Sequence, residues 1–334
     1  MRAVLYDGAG GSEVITVRDV PVPKPARDEV LVRVAASGIN RADAAQRRGV
    51  YPPPPGASDI PGLEVAGTIV AHGEAVDPDV WPLHAPVCAL LAGGGYAEYV
   101  AVPVGQLLKL PEGMSPRDAA AIVEVAATVV SNMSMTVQVA EGDWVLVHGA
   151  SGGIGTFAVQ YLAALGARVI TTGSSAEKLQ WARDLGAHHT INYRTENFAD
   201  RVHDITGGHG ADYILDVVGA DYLADNLAAL AVGGRLVVIG LGSGSQAPLD
   251  LGLLLRKRAG VIATSLRPRP TEEKARIIAE VQQRVWPLLT SGALSVPVDR
   301  AFSLEQTREA HDYFDSGEHR GKVVLLVGES DDDE

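Results

Sequence analysis

The chain has 334 residues, 46% of them hydrophobic, which suffices for two domains of roughly 150 residues with real cores and excludes a disordered chain. Lys and Arg total 28 against 41 Asp and Glu, a net charge of -13; such a surface repels a phosphate backbone, no basic stretch reverses that locally, and nucleic acid is excluded as a partner. The single cysteine, Cys88, permits no intramolecular disulfide and no multi-cysteine zinc site, which suits a reducing cytoplasm.

The opening Met1-Arg-Ala-Val-Leu-Tyr6 runs into strand-like sequence instead of a signal peptide, and no apolar run approaches the roughly 20 residues of a membrane helix. A cytoplasmic protein without a membrane partner is expected. Strand-like runs continue at Val14–Val20 and Glu29–Val34, bounded by Pro and Gly clusters such as Pro21 to Pro25. This pattern predicts a β domain over the first 110 or so residues. From about residue 121 strands and helices alternate, as they do in a parallel sheet with crossover helices. Strands are predicted at Trp144–His148, Arg168–Thr172, His189–Asn192, Asp212–Val217, Leu236–Ile239 and Val261–Thr264. Six parallel strands complete a doubly wound dinucleotide fold. Gly166 and Gly186 stop two of the intervening helices. A single helix is predicted from about Thr271 to Leu289, followed by a closing strand Lys322–Val327 that returns to the first domain. The acidic tail Glu329, Asp331, Asp332, Asp333 and Glu334 reads as solvated.

The sharpest motif is Val145-Leu-Val-His-Gly-Ala-Ser-Gly-Gly-Ile-Gly155, a buried strand running into a glycine-rich turn and then an apolar helix. Ala150, Gly152 and Gly155 take the three positions of a dinucleotide fingerprint, and Ser151, Gly153 and Ile154 lie between them. Small residues let the backbone approach a pyrophosphate seated on the helix N-terminus. A tight turn without a ligand is the alternative, disfavoured by the full strand-turn-helix context. About 20 residues on, where an NAD site places an acid on the ribose, the sequence is Thr171-Thr-Gly173-Ser174-Ser175. No acid stands there to repel a 2′-phosphate. Ser174 can donate to one, Lys178 follows one helical turn later, and Tyr193 with Arg194 can close over it, so NADPH is expected over NADH. A solvated helix lysine is an equal reading of Lys178.

Several segments together resemble the medium-chain dehydrogenase/reductases, and within them the zinc-free quinone oxidoreductase branch, closest to the tumour-suppressor-inducible subgroup and its bacterial relatives. They are Ala36-Ser-Gly-Ile-Asn-Arg-Ala-Asp43, Gly49-Val-Tyr-Pro-Pro-Pro-Pro-Gly56, Pro61-Gly-Leu-Glu-Val-Ala-Gly67, Gly93-Gly-Gly-Tyr-Ala-Glu-Tyr-Val100 and the glycine turn. The resemblance spans nearly the whole chain. It implies an α/β architecture with a GroES-like β domain formed by residues 1–120 and 266–334 and a Rossmann doubly wound parallel six-stranded sheet in residues 121–265. It also implies an NADPH-dependent oxidoreductase that reduces a small-molecule quinone by hydride or electron transfer from the nicotinamide. Relatives in that superfamily that use zinc carry Cys where this chain has Asn40 and His where it has Leu63; Glu64 alone cannot hold the metal, and the nine histidines are scattered, so no metal is expected.

By the same resemblance Asn40 and Asp43 lie beside the cofactor, and Tyr51 lines the acceptor cleft. The Tyr51 hydroxyl is the candidate donor to the developing oxyanion. Thr128 in Glu124-Val-Ala-Ala-Thr128 would contact the nicotinamide amide, Gly240, Leu241, Ser265 and Leu266 would flank it from strand ends, and Lys322 would lie near the cofactor phosphates. Packing of a proline-rich loop, an ordinary helical threonine and a solvent-facing lysine are the structural alternatives for Tyr51, Thr128 and Lys322. His84-Ala-Pro86 and Val123 depart from the family pattern and leave the loop near Cys88 and the crossover less defined. Reduction of a conjugated carbonyl (an enone or enoyl thioester) uses the same geometry, and a non-catalytic NADPH-binding protein is the reading from another class. A homodimer is expected, through the exposed edge of the Rossmann sheet.

Overall fold

A computed structural model describes residues 1–328. The acidic tail from Glu329 lies outside the described residues. In chain order the strands are β1 (Arg2–Tyr6), β2 (Ile15–Asp19), β3 (Glu29–Gly38), β4 (Glu64–His72), β5 (Pro86–Leu90), β6 (Tyr99–Pro103), β7 (Leu107–Lys109), β8 (Trp144–His148), β9 (Arg168–Gly173), β10 (His189–Asn192), β11 (Ala211–Asp216), β12 (Leu230–Val238), β13 (Gly260–Ala263), β14 (Val298–Ser303) and β15 (Lys322–Leu326). The chain divides into two compact units, Met1–Ala127 with the residues from Leu266 onward, and Thr128–Ser265.

The first unit is built on a seven-stranded sheet in the order β14-β15-β3-β4-β5-β7, with β6 also on β3, beside the hairpin β1-β2. Along β3, Val30, Val32 and Val34 are buried in alternation, the period of a strand with one face on the core. They pack with Val4, Ile15, Ile39, Val65 and Ile69. Because β3 has β15 on one side and β4 on the other, its end at Gly38 is flanked by the first residues of both neighbours, Lys322 and Glu64.

The second unit holds a six-stranded parallel sheet, β10-β9-β8-β11-β12-β13. Val145, Leu146 and Val147 of β8 are all fully buried, as a central parallel strand covered on both faces requires. Leu146, Ile170, Ile191, Ile214 and Leu236 form the core with Phe198. Strand order reverses at β8, which makes its carboxyl end the switch point where open α/β sheets bind ligands.

Two expectations are corrected. The helix expected over Thr271–Leu289 is two, Thr271–Arg284 and Trp286–Thr290; Pro287 supplies no amide to continue the first one, so the chain restarts with the proline in its opening turn. A stretch of membrane-spanning length also exists: Pro116–Thr136 covers 21 residues at a mean hydropathy of 1.3. It passed unnoticed because Arg117, Asp118 and Glu124 interrupt its small apolar residues. Of its most apolar window 78% is buried inside the protein, which assigns it to the core.

Candidate active site

The first unit contributes a buried charged cluster. Lys322 Nζ donates to Glu64 Oε1 at 2.7 Å, to Asn40 Oδ1 at 2.6 Å and to the Ile39 carbonyl at 3.1 Å. Asn40 Nδ2 donates to the same Glu64 oxygen at 2.9 Å, and Glu64 Oε2 accepts the Glu124 amide at 3.0 Å. The side-chain orientation of Asn40 is therefore dictated by charge, its amide nitrogen toward the carboxylate and its oxygen toward the ammonium. The cluster is packed against backbone: a Cβ on Gly38 would stand 2.3 Å from Glu64 Oε1 and 2.5 Å from the Ala120 carbonyl.

Lys322 is therefore not the solvent-facing lysine of its alternative reading. Its side chain is 3% exposed, and all three ammonium protons are spent on Ile39, Asn40 and Glu64. The cluster also bears on whether these residues fit a zinc ion. At the two positions where zinc-using relatives carry Cys and His stand Asn40 and the apolar, buried Leu63, and the remaining carboxylate already has a cation. Among the described residues no three His, Cys, Asp or Glu side chains gather as a metal would need. These residues do not fit catalytic zinc.

Asp43 lies in a second buried set of hydrogen bonds. Its carboxylate is fully buried and accepts the amides of Asn40 (2.8 Å) and Gly62 (3.0 Å) and the Tyr96 hydroxyl (3.1 Å). Burial pushes its pKa up to about 6, although the three donors work against that rise. With these bonds it holds the Asn40 backbone and the Gly62 loop in place.

Tyr51 sits half-buried in the Pro-rich loop, under a residue that the sequence did not mark. The Arg267 guanidinium lies 5.6 Å over the Tyr51 ring and donates to the Tyr51 carbonyl (3.4 Å), the Ala92 carbonyl (2.8 Å) and Gln46 Oε1 (2.7 Å). A planar, multiply bonded cation over the ring holds it in the loop. No local pattern announces Arg267, because its partners come from distant loops.

The second unit carries the glycine turn. Gly152 caps the helix Gly153–Ala164, whose first amides, at Gly153, Ile154 and Gly155, have no acceptor within the helix. A Cβ on Gly155 would lie 2.1 Å from the Gly149 carbonyl, whereas one on Gly152 would meet nothing closer than 3.9 Å. The turn is tight underneath and open above, and no acid stands in its first helical turn; together with the flanking Ala150 and Ser151 it fits a pyrophosphate. Gly173 ends β9 beside the turn after β10, where the Tyr193 amide donates to the Gly173 carbonyl at 3.3 Å. Ser174 follows, and Ser175 caps the helix Ala176–Asp184 through the Lys178 amide at 3.3 Å. Ser174 and Lys178 are half-buried, and Tyr193 is exposed on the same rim.

Thr128 is buried, and its carbonyl accepts from Ser131 Oγ (3.1 Å) and Asn132 Nδ2 (2.8 Å), where the helix widens into the π-helical turn Val130–Thr136. Asn132 Oδ1 accepts from Thr264 Oγ1 at 2.7 Å, which ties this turn to the residue before Ser265. Gly240 and Leu241 follow β12; a Cβ on Gly240 would lie 2.7 Å from the Val217 carbonyl, and Leu241 is exposed. The structure thus gathers Asn40, Asp43 and Lys322 in one unit, where Leu266 also lies, and Ala150–Gly155, Gly173, Ser174, Tyr193, Gly240, Thr128 and Ser265 in the other.

Comparison with known proteins matches residues 26–112 to the alcohol dehydrogenase GroES-like domain and residues 153–283 to the zinc-binding dehydrogenase domain. A quinone oxidoreductase of Pseudomonas aeruginosa is 33% identical over 97% of this chain and 99% of its own. The chain belongs to the medium-chain dehydrogenase/reductase superfamily, in its quinone oxidoreductase branch. A 2-haloacrylate reductase of a Burkholderia species is 32% identical over 98% of both chains. The crystal structure of Escherichia coli quinone oxidoreductase complexed with NADPH superposes with a TM-score of 0.86 at 29% identity, over 98% of this chain and 100% of that one.

Proposed function

We propose that the protein is a zinc-independent NADPH:quinone reductase. The observation that carries this reading is the Asn40–Glu64–Lys322 cluster: the charge that a metal would balance is met by an ammonium, in a chain similar over nearly its full length to quinone oxidoreductases. NADPH would be held by Ala150–Gly155 through backbone amides, by Ser174, Lys178 and Tyr193 at its 2′-phosphate, and by Thr128, Gly240, Leu241, Ser265 and Leu266 around the nicotinamide. Bound there, it supplies two electrons and one hydrogen to the acceptor.

The protein's own part is orientation and charge. Asn40, locked between Glu64 and Lys322, presents a fixed edge to the site. Arg267 holds the Tyr51 ring, against which a planar acceptor stacks, while the Tyr51 hydroxyl donates to the acceptor oxygen as negative charge grows on it. Incubation with a strong chelator tests the metal-free mechanism: NADPH oxidation by an ortho-quinone survives it undiminished, and its loss, restored by zinc, overturns this reading.

A second reading is reduction of a conjugated carbon–carbon double bond, favoured by the likeness to the 2-haloacrylate reductase. It uses the same residues, and comparison of enals with quinones separates the two. The protein is further proposed to work in the cytoplasm as a homodimer. Among the described residues strand β13 pairs with β12 alone, and Leu251 and Leu255, in the helix Leu251–Lys257 that precedes it in the chain, are 64% and 78% exposed. Sedimentation showing only monomer would remove the dimer.

A further inference from the structure

Beneath the glycine turn a chain of four polar side chains runs through the interior of the second unit. His148, the last residue of β8, is fully buried, with Nδ1 3.0 Å from Thr172 Oγ1 and Nε2 2.7 Å from Asn226 Oδ1. Asn226 Nδ2 donates to Asp216 Oδ2 at 3.2 Å. Thr172 Oγ1 lies 3.4 Å from the Gly149 amide. Phe198 and Tyr222 close over the imidazole edge-on, each at 4.8 Å between centroids.

The direction of every bond follows from the acid at one end. Asp216 accepts from the amides of Val218 (2.7 Å) and Gly219 (3.3 Å) and therefore requires the NH₂ side of Asn226. The Asn226 oxygen then faces His148, which must donate through Nε2; its bare Nδ1 must accept, so the Thr172 hydroxyl donates to it and accepts the Gly149 amide. The imidazole is neutral in one tautomer. Burial holds its pKa down at about 4, which keeps it so at neutral pH.

The ends of this chain lie at the strand ends where the dinucleotide site is placed. Thr172 holds the glycine turn twice, by its hydroxyl to Gly149 and by its carbonyl to the Ala150 amide at 3.0 Å, and it directly precedes Gly173 and Ser174. Asp216 fixes Val218 and Gly219, whose backbone in turn binds the loop after β12: the Val218 carbonyl accepts both the amide (2.8 Å) and the hydroxyl (3.0 Å) of Ser243. One hydrogen-bonded chain joins the loops after β8, β9, β11 and β12.

We propose that His148 is a positioning residue for cofactor binding: through Thr172 on one side and Asn226–Asp216 on the other, it sets the glycine turn and the loops that follow β11 and β12 in the shape that receives NADPH. The inference rests on the NADPH reading above. Removing one link loosens two loops at once, whereas an ordinary buried histidine would affect stability alone.

The test measures the NADPH dissociation constant of the full-length protein by nucleotide fluorescence, without turnover, and reads the histidine tautomer by long-range ¹H–¹⁵N correlation. Thr172→Val, which keeps shape and removes the hydroxyl, is expected to weaken NADPH binding about tenfold, the worth of one buried hydrogen bond, and to shift the His148 Nδ1 resonance. Thr172→Ser restores both. In the wild type His148 is expected as the neutral Nε2–H tautomer. An Nδ1–H tautomer overturns the proposal, as does a Thr172→Val protein that melts lower yet binds NADPH as tightly as the wild type. A wild type that fails to bind NADPH at all sinks the cofactor reading instead, and the relay with it; the tautomer tells these failures apart.

Discussion

Lys322 Nζ lies 2.7 Å from Glu64 Oε1, although the two stand 258 positions apart in the chain, and both side chains are sealed in the interior of the first unit. Taking two charges out of water is worthwhile only if each meets the other and the leftover valences are filled, as Asn40, Ile39 and the Glu124 amide fill them here. Lys322→Ala leaves a buried carboxylate alone and should cost about 3–5 kcal/mol of unfolding free energy, read from urea melts. The double variant Glu64→Gln/Lys322→Met should recover most of that stability yet stay slow, because nothing then orients Asn40. Wild-type turnover in the double variant would remove the cluster from the chemistry.

Tyr51→Phe keeps the ring beneath Arg267 and removes only the hydroxyl. Turnover with quinone should fall about tenfold to a hundredfold, in the range of one lost hydrogen bond to a developing charge, with NADPH affinity unchanged. Equal kcat in wild type and variant would leave Tyr51 as a packing residue.

Stability should depend on pH through two buried histidines. Burial holds His148 at about 4, and burial together with Arg47 holds His311 at about 3. As pH falls below about 6.5 the unfolded chain binds protons that the folded protein refuses, so stability drops by about 1.4 kcal/mol per pH unit for each histidine. Asp43 acts in the opposite sense: with its pKa raised to about 6 by burial, the folded state takes up a proton before the unfolded state does, which offsets about one histidine below that pH. Thr172, Asn226, Phe198 and Tyr222 face His148, and none of them carries a charge. Arg47, Tyr6 and Tyr96 face His311, and Arg47 also binds Asp315. In denaturant melts between pH 5 and 6.5, His148→Gln should flatten the loss by about one proton. Parallel pH profiles for wild type and variant would contradict this assignment.

Ser174→Asp places a carboxylate just past the end of β9, where it would repel a 2′-phosphate and accept from a ribose diol. Preference should move from NADPH toward NADH by at least about tenfold, from the loss of a charge-assisted contact. Lys178→Ala should raise the KM for NADPH alone. Unaltered preference in both variants would mean that the phosphate lies elsewhere.

Local signals in the sequence located much of this fold. Strands β8 and β10 have the limits that the sequence predicts, and β9, β11 and β13 differ only by single residues at their ends, because their apolar runs are short and bounded by turn residues; β12 begins at Leu230, six residues before the run predicted from Leu236, because Gly233 and Gly234 interrupt it. The glycine turn was equally legible, since its strand, turn and helix are contiguous. What escaped was set by contacts across long separations. Arg267 reaches Tyr51 over 216 residues, and Lys322 meets Glu64 only because β15 and β4 flank β3. Periodicity carries no trace of such meetings, so nothing in the sequence marks the burial of Lys322. The burial of Asp43 is hidden for a related reason: its sequence neighbourhood shows the capping position next to Asn40 but not the Tyr96 hydroxyl and the Gly62 amide that bond it from other segments.

The most direct measurement of the central claim is the loss of reduced-cofactor absorbance with an ortho-quinone as acceptor, run with NADPH and with NADH at equal concentrations. Quinone-dependent oxidation that prefers NADPH, and that continues in the presence of chelator, is the predicted result. Oxidation that prefers NADH, or no oxidation of either cofactor by any quinone, would contradict it.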